Sequence, residues 1–158
     1  MQREMSTQTM DSNSPLSTHN LRKAIECVRL NRFVKVLPWN CVPQFKSSYF
    51  PIAYIINEDD SYSAGTHWSV IYYPFENSIV EFFDSFGRKP KQEFIKDQNF
   101  IHNNLQLQTL FSSTCGHYCL LFVWFRIKLG YTMKEFVDFF REKSQEEVVQ
   151  HSREIFFL

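Results

Sequence analysis

The sequence predicts an α+β domain in which a small, mostly antiparallel sheet packs on one central helix, with further helices around it. Three observations predict this fold class. Two β-rich runs, 68–73 and 78–83, are separated by four residues that suit a hairpin loop. The apolar run 118–125 continues from a Ser/Thr loop through a cysteine and a glycine, which is typical of a buried helix. Apolar residues recur at helical spacing near residues 21–30 and 132–142.

The bulk composition fits a single domain with an aromatic core. The chain has 158 residues, among them 17 Phe, 7 Tyr and 3 Trp. Lys and Arg together number 17, as do Asp and Glu, so no overall charge attracts nucleic acid or an anionic membrane. The four cysteines lack the dense spacing of a disulfide framework, and no apolar signal segment begins the chain. We therefore expect a monomer in a reducing, intracellular compartment, without membrane association.

The first half of the chain divides into an arm, a helix and strands. Residues 1–19 are polar and aperiodic, which predicts a disordered arm, and residues 20–158 are predicted to form the single folded domain. Asn20 is placed to cap a helix over 21–30. Extended chain interrupted by prolines follows over 33–45, and the apolar run 51–57 predicts a strand covered on both faces.

The second half is predicted to be mainly helical. Residues 91–103 are predicted to be helical, and the alternation over 105–109 predicts a short strand. Gly130 is the expected end of the central helix. A helix is predicted from Thr132 to residue 142, and a last helix with a packed tail over 145–158.

Cys115 is predicted to occupy the first turn of the central helix. Ser113 or Thr114 is placed to cap that turn, and its free amides and the helix dipole favour a thiolate over a thiol. The alternative is that Cys115 is a small buried hydrophobe, which is our expectation for Cys119. Taken alone, the motif leaves both interpretations open.

The predicted hairpin supplies a partner pair for this cysteine. If Tyr73 pairs with Ser78, the same register places Asp84 opposite His67, on one face of the sheet. Asp84 would then accept from one ring nitrogen while the other nitrogen faces a thiol. Alternatively, Asp84 is a turn residue at a strand end and His67 packs beside Trp68. These residues alone do not decide between the two.

Other arrangements of the histidines and cysteines are less favoured. His117 lies about 200° around the helix from Cys115, and His102 has no carboxylate placed by a hairpin. The two remaining histidines lie in polar ends of the chain, at His19 and His151. A metal site would have to use Cys115, Cys119, His117 and His102. The paired C-x₂-C motifs of structural zinc sites are missing, so no metal is predicted.

Four segments together resemble the adenovirus-type (adenain-like) cysteine proteases of the wider Ulp1-like group. They are 65–68, 83–87, Gln108 and 113–119, and the likeness is greatest to the proteases of Polinton/Maverick transposons and related DNA viruses. It covers about residues 33–128. The acid follows the base by 17 positions and the glutamine precedes the nucleophile by 7, as in the adenovirus pattern.

The resemblance implies a papain-like fold in the broad sense and a role for each matched residue. His67 would be the general base, Asp84 its orienting acid and Cys115 the nucleophile. Gln108 would donate to the oxyanion together with the Cys115 amide. Trp68 and Gly116 would bind substrate, at a channel that admits small residues such as glycine.

The implied activity is that of a thiol endopeptidase cleaving after small residues. The substrates would be capsid or core precursors of a virus or virus-like transposon, in the host nucleus or the virion. Alternatives are a deubiquitinase or deSUMOylase and a non-catalytic binding module derived from the protease. The resemblance also implies an activating peptide or DNA. This neutral chain has only local basic clusters such as 88–91 and a shorter C-terminal part, so no cofactor is predicted.

Overall fold

The computed structural model describes residues 15–43, 49–59 and 67–158. Within these ranges the α+β class is confirmed, with a five-stranded sheet and helices on its faces. None of the described helices is long and apolar enough to cross a membrane. A 3-10 turn at Trp39–Cys41 follows the first strand. The helices and strands are, in order, α1 (Thr18–Cys27), β1 (Val34–Pro38), β2 (Ile52–Asn57), β3 (Trp68–Tyr73), β4 (Val80–Phe83), α2 (Gln92–Ile95), β5 (Phe100–His102), α3 (Cys115–Ile127), α4 (Met133–Phe140) and α5 (Gln145–Phe156).

The sheet is mixed rather than mostly antiparallel. Its strand order is β1-β2-β3-β4-β5, and the inner pairs β2–β3 and β3–β4 are antiparallel as predicted. The outer pairs β1–β2 and β4–β5 are parallel. The predicted helix over 91–103 is wrong beyond its first turn. Lys96 leaves the helical region with φ 58°, and the chain then runs alongside β4 as β5.

Two apolar layers hold the sheet, and α3 forms one of them. Strand β2 is buried along its whole length, which confirms the prediction of a strand covered on both faces. The helix is buried on almost all sides, from Cys115 to Val123. Its Phe122 stacks on Phe83 of β4, with ring centroids 4.7 Å apart. This packing fixes the position of the N-terminus of α3 relative to the sheet.

The hairpin register differs from the prediction by two residues. Val70 pairs with Phe83 and Tyr72 with Glu81, so the connection between the strands is two residues longer than predicted. Because side chains alternate with period two, a shift of two residues keeps each side chain on its predicted face. His67 therefore stacks on the Phe86 ring, with centroids 5.1 Å apart, while Asp84 still faces the histidine.

The folded region begins before residue 20. Helix α1 starts at Thr18, and Ser17 caps it in a capping box with Asn20. Leu16 is buried in the main core. Residues 1–14 of the predicted arm lie outside the described residues.

The predicted strand over 105–109 is not formed. The backbone amides of Leu107 and Gln108 both donate to the Ser85 carbonyl, and the segment has no regular structure. The C-terminal helices form as predicted, with Gly130 at φ 71° after α3 and a capping box at Thr132 that starts α4.

Candidate active site

Cys115 is the first residue of α3 and is 4% exposed. Its amide therefore has no partner within the helix, and the positive end of the helix dipole lies at its side chain. Thr114 is the N-cap residue, as predicted, but its side chain does not cap the helix. The Thr114 hydroxyl instead donates to Oε1 of Gln145 at the start of α5, over 2.7 Å.

His67 immediately precedes β3, and its ring bonds Asp84 and interacts with Cys115, its two predicted partners. Nε2 lies 2.8 Å from Oδ1 of Asp84 in a hydrogen bond. Burial alone lowers the pKa of His67, but hydrogen bonds to Asp84 and Cys115 outweigh that effect. Together with neighbouring negative charges they raise the pKa to about 9. Since Nε2 is bonded to Asp84, Nδ1 is the ring atom left for the thiol.

Asp84 is held by bonds to both its side chain and its backbone. Its Oδ1 also accepts from the Phe86 amide, and its Oδ2 accepts from Nε of Arg88, each over 2.9 Å. Burial alone raises the pKa of Asp84, but these bonds and the adjacent cations outweigh burial and lower it. The buried Asn103 side chain bonds the amide and the carbonyl of Asp84 at 2.9 and 2.6 Å. Asp84 therefore stays ionised in a fixed orientation.

Gln108 lies in the loop before α3, where a short strand is predicted over 105–109, and its side chain is 2% exposed. Its Oε1 accepts from the Ser85 hydroxyl over 2.6 Å, and its Nε2 donates to the Ser112 carbonyl over 2.8 Å. The amide group carries two hydrogens, and the bond to Ser112 uses one of them. Gln108 is thus held rigidly by two bonds, and the chain from Ser112 leads directly into Cys115.

Trp68 and Gly116 both lie against Leu16. The Trp68 indole nitrogen donates to the Leu16 carbonyl over 3.0 Å, and the indole is 3% exposed. A Cβ at Gly116 would lie 3.1 Å from the Leu16 Cβ, so only glycine fits there without a shift. The substrate-binding role of these two residues stays a prediction. The structure adds that Leu16 covers them both.

Three residues around the site were not predicted from the sequence. Asn103 holds the backbone of Asp84, as described above. Gln145 donates from Nε2 to the Leu107 carbonyl and to the Tyr118 hydroxyl, which joins the start of α5 to the loop before α3. Glu58 follows β2, and its Oε2 lies 3.0 Å from Nε2 of His67. All three approach from segments distant in sequence, and no local motif marks them.

The cluster of Glu58, His67 and Asp84 brings metal-ligand atoms within 4.8 Å of one another. The Arg88 guanidinium, however, bonds both carboxylates, so their charges are already paired within the protein. The four residues considered from the sequence for a metal do not form such a cluster among the described residues. His117, for example, bonds the Ser152 hydroxyl instead, over 2.9 Å.

A cavity of about 600 Å³ lies on the face of the sheet that points away from α3. Its walls include Trp39, Tyr54, Tyr73 and Phe94, and none of the predicted catalytic residues lines it. The candidate active site is therefore separate from this cavity.

No protein-family model matches the chain, and no curated protein matches it. Among solved structures it is similar to the SUMO protease Ulp1 with the catalytic cysteine oxidized to a sulfinic acid, with a TM-score of 0.35 and 15% identity. That match covers 64% of this chain, which spans about half (53%) of the Ulp1 chain.

Proposed function

We propose that this protein is a cysteine endopeptidase whose nucleophile is Cys115. The observation that carries the proposal is the position of His67, which bonds the ionised Asp84 through Nε2 and interacts with Cys115 at a helix N-terminus. A histidine that is protonated at neutral pH beside a cysteine favours an imidazolium–thiolate pair. That pair is the nucleophile and the proton donor that peptide hydrolysis requires.

The proposed reaction uses these groups in turn. The Cys115 thiolate attacks the scissile carbonyl carbon, and the negative charge moves to the carbonyl oxygen. The Cys115 amide and the free hydrogen on Nε2 of Gln108 donate to that oxygen. His67 gives its proton to the leaving amine, the C–N bond breaks and a thioester remains. His67 then takes a proton from water, which attacks the thioester and releases the acid and the thiolate.

The substrate preference and setting extend this proposal. Cleavage after small residues, with capsid or core precursors as substrates, is supported by the sequence resemblance to the adenovirus-type proteases. A reducing compartment stays part of the proposal, on the basis of the spacing of the four cysteines in the sequence. A deubiquitinase or deSUMOylase would use the same catalytic groups on a different substrate.

The proposal is tested by offering the protein three classes of substrate. A glycine-containing capsid precursor, a ubiquitin fusion and a SUMO fusion are incubated with the wild type and with Cys115→Ala. We expect cleavage of the precursor after a small residue by the wild type alone. Cleavage of only a ubiquitin or SUMO fusion would assign the isopeptidase function. No cleavage of any of them, with Cys115 no more reactive to iodoacetamide than Cys119, would refute the protease proposal.

A further inference from the structure

Glu58 lies directly beside the histidine of the candidate site. Strands β2 and β3 pair as far as Asn57 with Trp68, and the Glu58 amide extends this ladder by donating to the His67 carbonyl over 3.0 Å. Residues directly opposite each other on antiparallel chains share a face of the sheet. The Glu58 side chain, 14% exposed, accordingly points towards the imidazole.

Two carboxylates therefore face one ring nitrogen. Nε2 of His67 bonds Oδ1 of Asp84 at 2.8 Å, and Oε2 of Glu58 lies 3.0 Å from the same nitrogen. Like charges this close repel each other unless a cation lies between them. Arg88 supplies it, with Nε bonded to Asp84 at 2.9 Å and Nη2 bonded to Glu58 at 3.2 Å.

We propose that Glu58 is a second orienting carboxylate, which shares with Asp84 the task of holding His67 and stabilising its protonated form. It acts through His67 and is thus a positioning residue. The inference rests on the proposed function, since it assigns Glu58 a part in the same site. The proposed site contains one thiol, one imidazole and two carboxylates, and Arg88 bonds both carboxylates.

The charges around the ring explain why the second carboxylate matters. Once the thiolate forms, His67 is faced by three negative groups, Cys115, Asp84 and Glu58. Burial and the charge of Asp84 raise the pKa of Glu58, while the positive charges of His67, Arg88 and Lys91 act in the opposite direction. An opposite charge within about 4–6 Å favours the charged form of an ionisable group. Removing Glu58 should therefore lower the pKa of His67, while Asp84 continues to orient the ring.

The test measures the protonation of His67 and the reactivity of Cys115, and it needs no peptide substrate. Glu58→Gln, Asp84→Asn and the double variant are compared with the wild type and with Glu76→Gln, which removes an exposed carboxylate at the β3–β4 connection. One readout is the His67 ring titration by NMR, and the other is the rate of Cys115 alkylation by iodoacetamide as a function of pH. Glu58→Asp, which retains the charge but withdraws it by one methylene, keeps the test decisive if Glu58→Gln does not fold.

We expect Glu58→Gln to lower the His67 titration midpoint by about one pH unit, a tenfold change in the proton affinity of the ring. Glu58→Asp lowers it less, Glu76→Gln leaves it unchanged, and the double variant lowers it more than either single variant. An unchanged midpoint and alkylation profile in both Glu58 variants would overturn the inference. If the substrate and iodoacetamide tests described above refute the proposed function, the His67 titration and the pH profile of alkylation still decide the role of Glu58.

Discussion

Replacing Gln108 separates its part in folding from its part in the reaction. Gln108→Ala removes two side-chain hydrogen bonds at a buried position, to Ser85 and to Ser112. At about 1 kcal/mol for each bond, the free energy of unfolding falls by about 2 kcal/mol. In a domain of this size that corresponds to a melting temperature roughly 4–8 °C lower. This loss exceeds the limit of about 1 kcal/mol expected for an exposed amide.

The catalytic loss should be larger than the structural one. Removing a single oxyanion donor lowers kcat by about 10²–10³. After Gln108→Ala the developing oxyanion retains only the Cys115 amide. KM should change little, because the ground-state carbonyl makes little use of this donor.

Ser85→Ala is the matched control. It removes the 2.6 Å bond to Oε1 of Gln108 and leaves the Nε2 group in place. It should therefore cost about 1 kcal/mol of stability, with a much smaller loss of kcat. The assay combines thermal melting with steady-state peptide hydrolysis of all three proteins. If Ser85→Ala lowers kcat as much as Gln108→Ala, or if kcat follows the melting temperature, then Gln108 serves the fold and the oxyanion assignment is refuted.

Three further predictions use other parts of the structure. His117 is buried and neutral, with a pKa of about 4. As the pH drops from 6.5 to 4, this histidine is protonated in the unfolded state before it is protonated in the folded state. The free energy of unfolding therefore falls by about 3 kcal/mol. In denaturant titrations, the fall in the free energy of unfolding between pH 6.5 and 4 should be smaller in His117→Gln than in the wild type by about 3 kcal/mol. Gly87→Ala should lower the melting temperature more than Gly130→Ala. Both glycines have positive φ, but only at Gly87 would a Cβ lie 2.8 Å from backbone, that of Leu105. Equal losses would refute that steric argument. Gln145→Leu should lower kcat with little change in KM, whereas Gln150→Leu on the exposed side of the same helix should not. A KM effect alone would contradict this positioning role.

Local sequence patterns were sufficient for most of the fold. Apolar runs and periodicity predicted α1, β2, β3, α3, α4 and α5, because each element buries a face that the side-chain order defines. They also placed Cys115 at a helix start. The helix predicted over 91–103 is wrong beyond residue 95, because the apolar residues there fit a helix and a short edge strand equally well, and the pairing of β5 with β4 decides between them.

The sequence by itself determined which residue types carry the candidate chemistry and on which face of the sheet His67 and Asp84 meet. The two side chains lie on the predicted face although the register is shifted by two residues, because side chains alternate with period two. Only the tertiary structure brought Glu58, Asn103 and Gln145 to the site. Their positions depend on how strands and helices that are separate along the chain pair and pack together. It is also packing that buries Gln108, since its amide bonds Ser85, which follows β4, and Ser112 of its own loop.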